Sequence, residues 1–446
     1  MVEIKDKHFV IIGLGKTGVA LTRFLAKKGA KVTISDKAPL KKLSSNLKAL
    51  EGIDFSLESG EHKEKTFLSA DYIILSPGIS PSLPLLKKVK TNGIPILGEL
   101  DLVNAFLSVP IIAITGTNGK TTTTIITAEI LKNCGKKIWI GGNIGIPLVE
   151  VIKEKDLDYI VAEISSFQLE QTSSFHPHIA VCLNVSEDHL DRHFDFKNYL
   201  KCKLKIAKWQ NENDWFVLEG DNQVLLEAAK GLKSKKVLFG VKKPYYPGAY
   251  LDNDKIIVEI FERWEIDIKN IPLFGLHNYK NIMAALSIAQ IIKCPFSSTI
   301  KAISSFKGLP HRLEWVSSLN GVNFYNDSKA TNVGATIAAL ESLSKPIVLI
   351  AGGLGKGQKF DPLRPLVTKK VKALVLIGTS AEDIEKALKG TTMIFKAKDL
   401  EEAVKKAFSL AKPNANVLLS PACASFDMFS DYQERGEEFK KIVHAL

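Results

Sequence analysis

The stretch Ile111-Ile112-Ala113-Ile114-Thr115-Gly116-Thr117-Asn118-Gly119-Lys120-Thr121 decides how the rest of the chain is read. An apolar run has the pattern of a buried strand, and a short glycine turn ending in Gly-Lys-Thr follows it. Residues 122–134 suit a helix, and Gly135 is placed to stop it. Strand, glycine turn and helix together form an anion cradle. The first N–H groups of a helix lack intrahelical partners, and the positive end of the helix dipole lies beside them. Lys120 is placed to reach terminal phosphates and Thr121 to ligate Mg²⁺. Ile114 stands where the common phosphate-loop pattern has its first glycine, so the spacing is G-x-x-G-K-T. The expectation is phosphate binding, with a generic ATPase reading weakened.

The composition narrows the setting. A chain of 446 residues has room for roughly two to four domains, each with a buried core. Hydrophobic content of 45% and charged content of 24% fit a soluble globular protein. No apolar run is long enough to span a bilayer, and residues 1–7 lack the apolar segment of a signal peptide. Cys134, Cys182, Cys202, Cys294 and Cys423 are scattered, without a C-x-x-C pair. This argues for a reducing cytoplasm and against a structural zinc site. The net charge of +12 comes mostly from lysine, in short clusters such as residues 233–236 without interleaved aromatics. Nucleic-acid binding is therefore not expected; anionic phosphate-bearing substrates, or a lysine-rich solvated surface, account for the same excess.

Upstream of the central stretch, Phe9-Val10-Ile11-Ile12 reads as a strand entering Gly13-Leu14-Gly15-Lys16-Thr17-Gly18. A helical pattern and a second strand follow, ending at Asp36. This is a dinucleotide-type fingerprint, which points to a diphosphate or ribose site without specifying hydride chemistry. A further strand, 71–75, enters Ser76-Pro77-Gly78, and the small domain ends near Gly98. Downstream, a strand at 158–162 delivers Glu163, where a Mg²⁺-binding acid belongs, although a helix-capping role is the simpler alternative. Asp188, His189 and His193 cluster after another strand, and a lysine-rich helix over 199–208 carries Lys203. Residues 209–270 read as antiparallel strands with little chemistry, and Asn278 as the cap of the next helix. From residue 308 onward strands and helices alternate again, an open α/β pattern. Two dense strand-end loops there are 352–357 and 420–427.

Taken in order, Gly116-Thr117-Asn118-Gly119-Lys120-Thr121, Gly142-Asn143-Ile144-Gly145, Glu163 with Ser165-Ser166-Phe167-Gln168-Leu169, Asp188-His189, His277-Asn278-Tyr279-Lys280-Asn281, His311-Arg312 and residues 326–332 resemble the Mur ligase family over nearly the whole chain. Residues 165–169 and 420–427 resemble its D-glutamate-adding branch most. The resemblance implies an α/β protein of three domains: a Rossmann-like UDP-substrate-binding domain at 1–98, a central phosphate-loop ATP-binding domain at 99–308 with a mainly parallel sheet and a small antiparallel part, and a Rossmann-like C-terminal domain at 309–446. It implies ATP-dependent addition of D-glutamate to UDP-N-acetylmuramoyl-L-alanine through an acyl phosphate, in peptidoglycan precursor synthesis, by a cytoplasmic monomer. Two Mg²⁺ ions are implied, with Mn²⁺ as a substitute.

Residue by residue, the resemblance gives catalytic roles to Lys120, Glu163, His189 and Lys203, the last as a carbamylated lysine. Metal would be held by Thr121, Glu163, His189 and Lys203. ATP would be held by Gly116, Thr117, Asn118, Gly119, Lys120, Thr121 and Thr122, with Asn278, Asn281, Arg312 and Asp327. The UDP-substrate set is Gly15, Lys16, Thr17, Asp36, Lys37, Ser76, Pro77 and Gly78, with Asn143 and His189. D-Glutamate would meet Lys329, Thr331, Lys356, Ser425 and Phe426. No arginine follows Asp36 where some relatives stack the uracil. An oxidoreductase built on Gly13–Gly18 would leave the second phosphate loop and Glu163 unused. A tripeptide-extending or folate-glutamylating relative would carry a different N-terminal domain.

Overall fold

The computed structural model describes residues 2–344 and 346–446. Three sheets follow one another along the chain. The first is parallel throughout, in the order Ser56–Ser59, Lys31–Asp36, His8–Ile12, Tyr72–Leu75, Ile96–Gly98. In the second, Ile111–Thr115 lies between Ile179–Cys182 and Tyr159–Glu163, with Ile138–Gly142 at one edge. In the third, Asn416–Leu419 and Ile347–Gly352 are central, with Val322–Asn326 beside the former. All five residues of Ile111–Thr115 are buried, as a parallel strand covered on both faces requires. The helix after it, Lys120–Asn133, packs Ile126, Ile130 and Leu131 into one core cluster with Ile282, Met283 and Leu286 of helix Leu276–Ile291. That shared core holds the glycine turn against the start of the second helix. Open α/β sheets place ligands at the carboxyl ends of their strands, and each loop named above leaves such an end.

Residues 209–270 differ from the expectation. Trp215–Glu219 and Lys235–Gly240 are parallel and extend the second sheet, with helix Gln223–Ala229 between them. Antiparallel pairing joins only Gly248–Asp252, Lys255–Glu259 and Arg263–Asp267. A continuous apolar run such as Trp215-Phe216-Val217-Leu218 is what a doubly covered parallel strand looks like, and β-rich composition carries no direction. Asn278 is not a cap. The helix starts at Leu276 behind Gly275, and the Asn278 amide donates to Phe274 O at 3.0 Å. Residues 322–326, to which the sequence reading assigned no element, pair with Glu314–Leu319 as an antiparallel edge of the third sheet. Among the described residues no helix is long and apolar enough to cross a membrane.

Candidate active site

The glycine turn at 116–119 is held from below and above. Gly119 has φ +84°, and a Cβ there would overlap the Asn281 side chain; only glycine meets both demands. The Thr117 N–H donates to Asn184 O at 3.0 Å and the Asn118 N–H to Asn184 Oδ1 at 2.8 Å. Thr117 Oγ1 donates to Ser186 O and lies 3.1 Å from the Tyr199 hydroxyl. Asn184 and Ser186 thus fix the turn, a role no motif in the sequence marks. Lys120 Nζ donates to Gly116 O at 2.8 Å and Thr117 O at 3.0 Å. Burial lowers its pKa, against the pull of Glu163 and Asp188.

Glu163 ends strand Tyr159–Glu163 and is 2% exposed. Its Oε1 accepts from Asn143 Nδ2 at 2.7 Å, while Oε2 is buried with no hydrogen-bond partner among the described residues. It is no helix cap, because Ser165 and Gln168 form the capping box of the next helix. A buried carboxylate oxygen of this kind, with the Thr121 hydroxyl in the same cleft, fits a hard divalent cation bound through oxygen. His189 has a left-handed backbone, φ +52°, and its Nε2 lies 3.7 Å from Asp188 Oδ2. Burial lowers its pKa, against the pull of Asp188. Lys203 is buried under the turn rather than in the cleft. Its Nζ donates to Gly116 O at 2.9 Å and lies over the Tyr199 ring. Burial, and next the charge of Lys120, lower its pKa to about 7. Among the described residues no three His, Cys, Asp or Glu side chains form a ready metal cage; the set implied by sequence holds only two of those types.

The third sheet closes the cleft. Arg312 Nη2 donates to Thr121 Oγ1 at 2.7 Å. Asn332 Nδ2 donates to Asn118 Oδ1 at 3.2 Å and Asp188 Oδ2 at 3.1 Å, while its Oδ1 accepts from the Ala335 N–H. Asp327 accepts from the Leu313 N–H and Ser420 Oγ, and burial raises its pKa to about 7. Lys329 Nζ lies 3.8 Å from the centre of the Tyr432 ring; burial foremost, then Arg312, lowers its pKa to about 8. The resulting cavity, about 740 Å³, is lined by Thr117 to Thr122, Asn143, Glu163 and His189. Asn278, Asn281, Arg312, Asp327, Lys329, Thr331 and Lys356 line its other walls. Lys280, which pairs with Glu219 at 2.6 Å and Asp221 at 3.0 Å, also lines it; spacing alone gave this pair no signal. Ser425 is buried outside the lining and Phe426 is 69% exposed.

A second cavity of about 580 Å³ lies at the strand ends of the first sheet. Gly15, Lys16, Thr17, Asp36, Ser76, Pro77 and Gly78 line it, and Gln168 and Asn143 close it from the second sheet. Lys37 is exposed and outside the lining, and His189 faces the larger cavity instead. Asp36 accepts from the Leu14 N–H at 2.7 Å and the Ala38 N–H at 2.8 Å, so it also shapes the turn. Gln171 Nε2 donates to Ser76 O and Ile79 O, and Arg192 Nη2 to Ile79 O, tying the first sheet's loops to the second. Asn143 lines both cavities and joins them.

A phosphate-type cleft between the second and third sheets, adjoining a cavity on the first, describes a multidomain nucleotide-dependent enzyme, and comparison with known proteins agrees. Family models described as Mur ligase MurD-like N-terminal domain, Mur ligase middle domain, and Mur ligase glutamate ligase domain match residues 7–98, 114–289 and 311–423. The chain belongs to the Mur ligase family. It is 43% identical over 450 residues to a UDP-N-acetylmuramoylalanine--D-glutamate ligase of Geotalea daltonii, covering 100% of this chain and 98% of that one. A ligase of the same name from Geobacter sp. strain M21 is 42% identical over 445 residues, covering 99% and 98%. Among solved structures, a pseudomurein peptide ligase type C from Methanothermus fervidus has a TM-score of 0.63 at 21% identity, covering 99% and 100%. The MurF ligase of Thermotoga maritima in complex with ADP has a TM-score of 0.63 at 18% identity, covering 99% and 96%. At these identities the two structures speak for the fold.

Proposed function

We propose that this chain is the ATP-dependent ligase that joins D-glutamate to UDP-N-acetylmuramoyl-L-alanine in peptidoglycan precursor synthesis. The observation that carries the reading is the cleft, where Lys120 and Glu163 from the second sheet and Arg312, Lys329 and Lys356 from the third line one space that meets a second cavity, on the first sheet, at Asn143. The full-length likeness to ligases of that name selects the substrates.

A carboxylate acylates poorly because its leaving group would be oxide. In the proposed reaction the alanyl carboxylate oxygen attacks the γ-phosphorus of ATP, the bond to the bridging oxygen breaks, and ADP leaves. The D-glutamate amine then attacks the acyl phosphate, and the tetrahedral adduct expels phosphate as the amine loses its proton. The N–H groups of the 116–119 turn and Lys120 hold the β- and γ-phosphates. Asn278, Asn281 and Asp327 take the nucleoside, and Arg312 brings a cation to the same phosphates. Gly15 to Thr17, Asp36 and Ser76 to Gly78 take the uridine diphosphate, and Asn143 orients the muramoyl end. Lys329 and Lys356 face the two carboxylates of D-glutamate, with Thr331 beside them.

Mg²⁺, when bound, would neutralise charge on the phosphoryl oxygens; Thr121, Glu163, His189 and Lys203 are the residues to hold it, as two ions or with Mn²⁺ in their place. For Lys203 this requires carbamylation. A pKa lowered to about 7 favours the neutral amine far more than an ordinary lysine does, and that is the form that adds carbon dioxide. We assign the domains as 1–98, 99–308 and 309–446 and the protein as a cytoplasmic monomer. The test is an assay that omits each substrate in turn. ADP formation requires ATP, the muramoyl substrate and D-glutamate together; turnover indifferent to D-glutamate, or faster with L-glutamate, contradicts the assignment.

A further inference from the structure

The guanidinium of Arg435 lies in the first turn of helix Tyr432–His444 and is fully buried. Its hydrogen bonds among the described residues go to uncharged oxygens. Nε donates to Ser328 Oγ at 2.9 Å and Nη2 to Ser328 O at 2.8 Å. Nη2 also donates to Cys423 O and Nη1 to Ala424 O, both at 3.3 Å. Burying a cation against dipoles alone is unfavourable, and an apolar side chain would fill the space more cheaply. What the cation gains is a multidentate grip that no apolar group can make.

The gripped atoms belong to loops leaving two neighbouring strands of the third sheet, Val322–Asn326 and Asn416–Leu419. A third loop joins them. Leu354 and Ala424 exchange two backbone hydrogen bonds of 2.9 Å, and a Cβ on Gly353 would overlap Ala424 O and press on Arg435. Each loop carries a residue assigned above to D-glutamate: Lys329 follows Ser328, Ser425 follows Ala424, and Lys356 lies two residues beyond Leu354. Ser328 Oγ also donates to Tyr432 O at 2.8 Å, under the ring that Lys329 stacks on.

We propose that Arg435 is a positioning residue of the amino-acid site, clamping the three loops so that Lys329, Lys356 and the 425–426 backbone keep their spacing for a dicarboxylate. The inference rests on the functional reading above. It predicts a selective defect. In Arg435→Lys, which keeps the charge but not the fork, KM for D-glutamate rises about tenfold while KM for ATP and for the muramoyl substrate stays within about twofold. Ser328→Ala removes one acceptor and shows the same pattern more weakly. A merely structural role would lower the active fraction, hence kcat, and leave all three KM values alone. If Arg435→Lys does not fold, Ser328→Ala carries the test. An unchanged KM for D-glutamate in both, with wild-type activity present, overturns this inference alone. Absence of D-glutamate-dependent ADP formation in the wild-type enzyme removes the functional reading and the inference with it.

Discussion

At the first glycine turn, Gly13 to Gly18, the strand end and helix start approach so closely that a Cβ on Gly18 would overlap Gly13 O. At the second, a Cβ on Gly119 would overlap not its own turn but Asn281, from a helix more than a hundred residues away. The surroundings differ in the same way. Asp36 spends one carboxylate oxygen on the Leu14 N–H of the first turn and the other on the Ala38 N–H of its own loop. Glu163, beside the second, keeps one buried oxygen unused. The first turn is thus satisfied within the first sheet's own loops, by Asp36, Asn46 and Ser76, and shaped to receive a ligand. The second turn shares one cavity with charged groups of the second and third sheets, among them Glu163, Arg312, Lys329 and Lys356, and that gathering is what bond-making requires. Both turns join a strand end to a helix start, while reactivity is decided by what the rest of the fold brings to them.

Substitutions can break this contrast, and the largest effect belongs to Lys120. Lys120→Met should lower kcat by about a thousandfold or more, since it removes a fixed cation from the phosphoryl group; steady-state ADP formation measures it. Lys203→Ala should cost about a hundredfold to a thousandfold, and added acetate should restore part of the loss if a carbamate oxygen is what is missing. Full activity in the unrescued variant would exclude that role. Gly119→Ala should weaken ATP binding by about tenfold to a hundredfold through the collision with Asn281, as titration with a non-hydrolysable analogue would report. Asp36→Ala should be mildest, raising KM for the muramoyl substrate by about tenfold and leaving kcat nearly unchanged. A large kcat defect in Asp36→Ala would erase the distinction between the turns.

The pH profile sharpens it further. Lys203 becomes neutral, and Asp327 charged, as pH rises through about 7. Both changes favour activity, the first by allowing carbamylation and the second by restoring an acceptor for the nucleoside. Lys329 loses its charge above about 8. The free enzyme's kcat/KM for D-glutamate should therefore rise through about 7 and fall above about 8. Lys120→Met removes a charge that lowers both lysines, so in the rate that remains both limbs should move to higher pH.

Much of the second turn was legible because its cues are local: an apolar strand, two glycines, Gly-Lys-Thr and a helix within one short window. Glu163 was legible for the same reason, as an acid at a strand end. What escaped depends on distant partners. Asn184 and Ser186 hold the turn through contacts some seventy residues apart in sequence, and no local pattern announces them. The direction of Trp215–Glu219 and Lys235–Gly240 was missed because pairing partners, not composition, decide it. Arg435 reads in sequence as one more surface helix residue, and only the packed third sheet shows it buried. Ser425 and Phe426 illustrate the converse, since their motif is plain while their side chains lie outside the cleft lining.

The central claim is that the alanyl carboxylate is activated by phosphorylation in the cleft of Lys120 and Glu163. The most direct test labels that carboxylate with heavy oxygen and follows the label by mass spectrometry through one turnover with ATP and D-glutamate. Acyl-phosphate formation predicts that one labelled oxygen leaves with inorganic phosphate while the other stays in the new amide carbonyl. Unlabelled phosphate alongside formed amide would contradict the account.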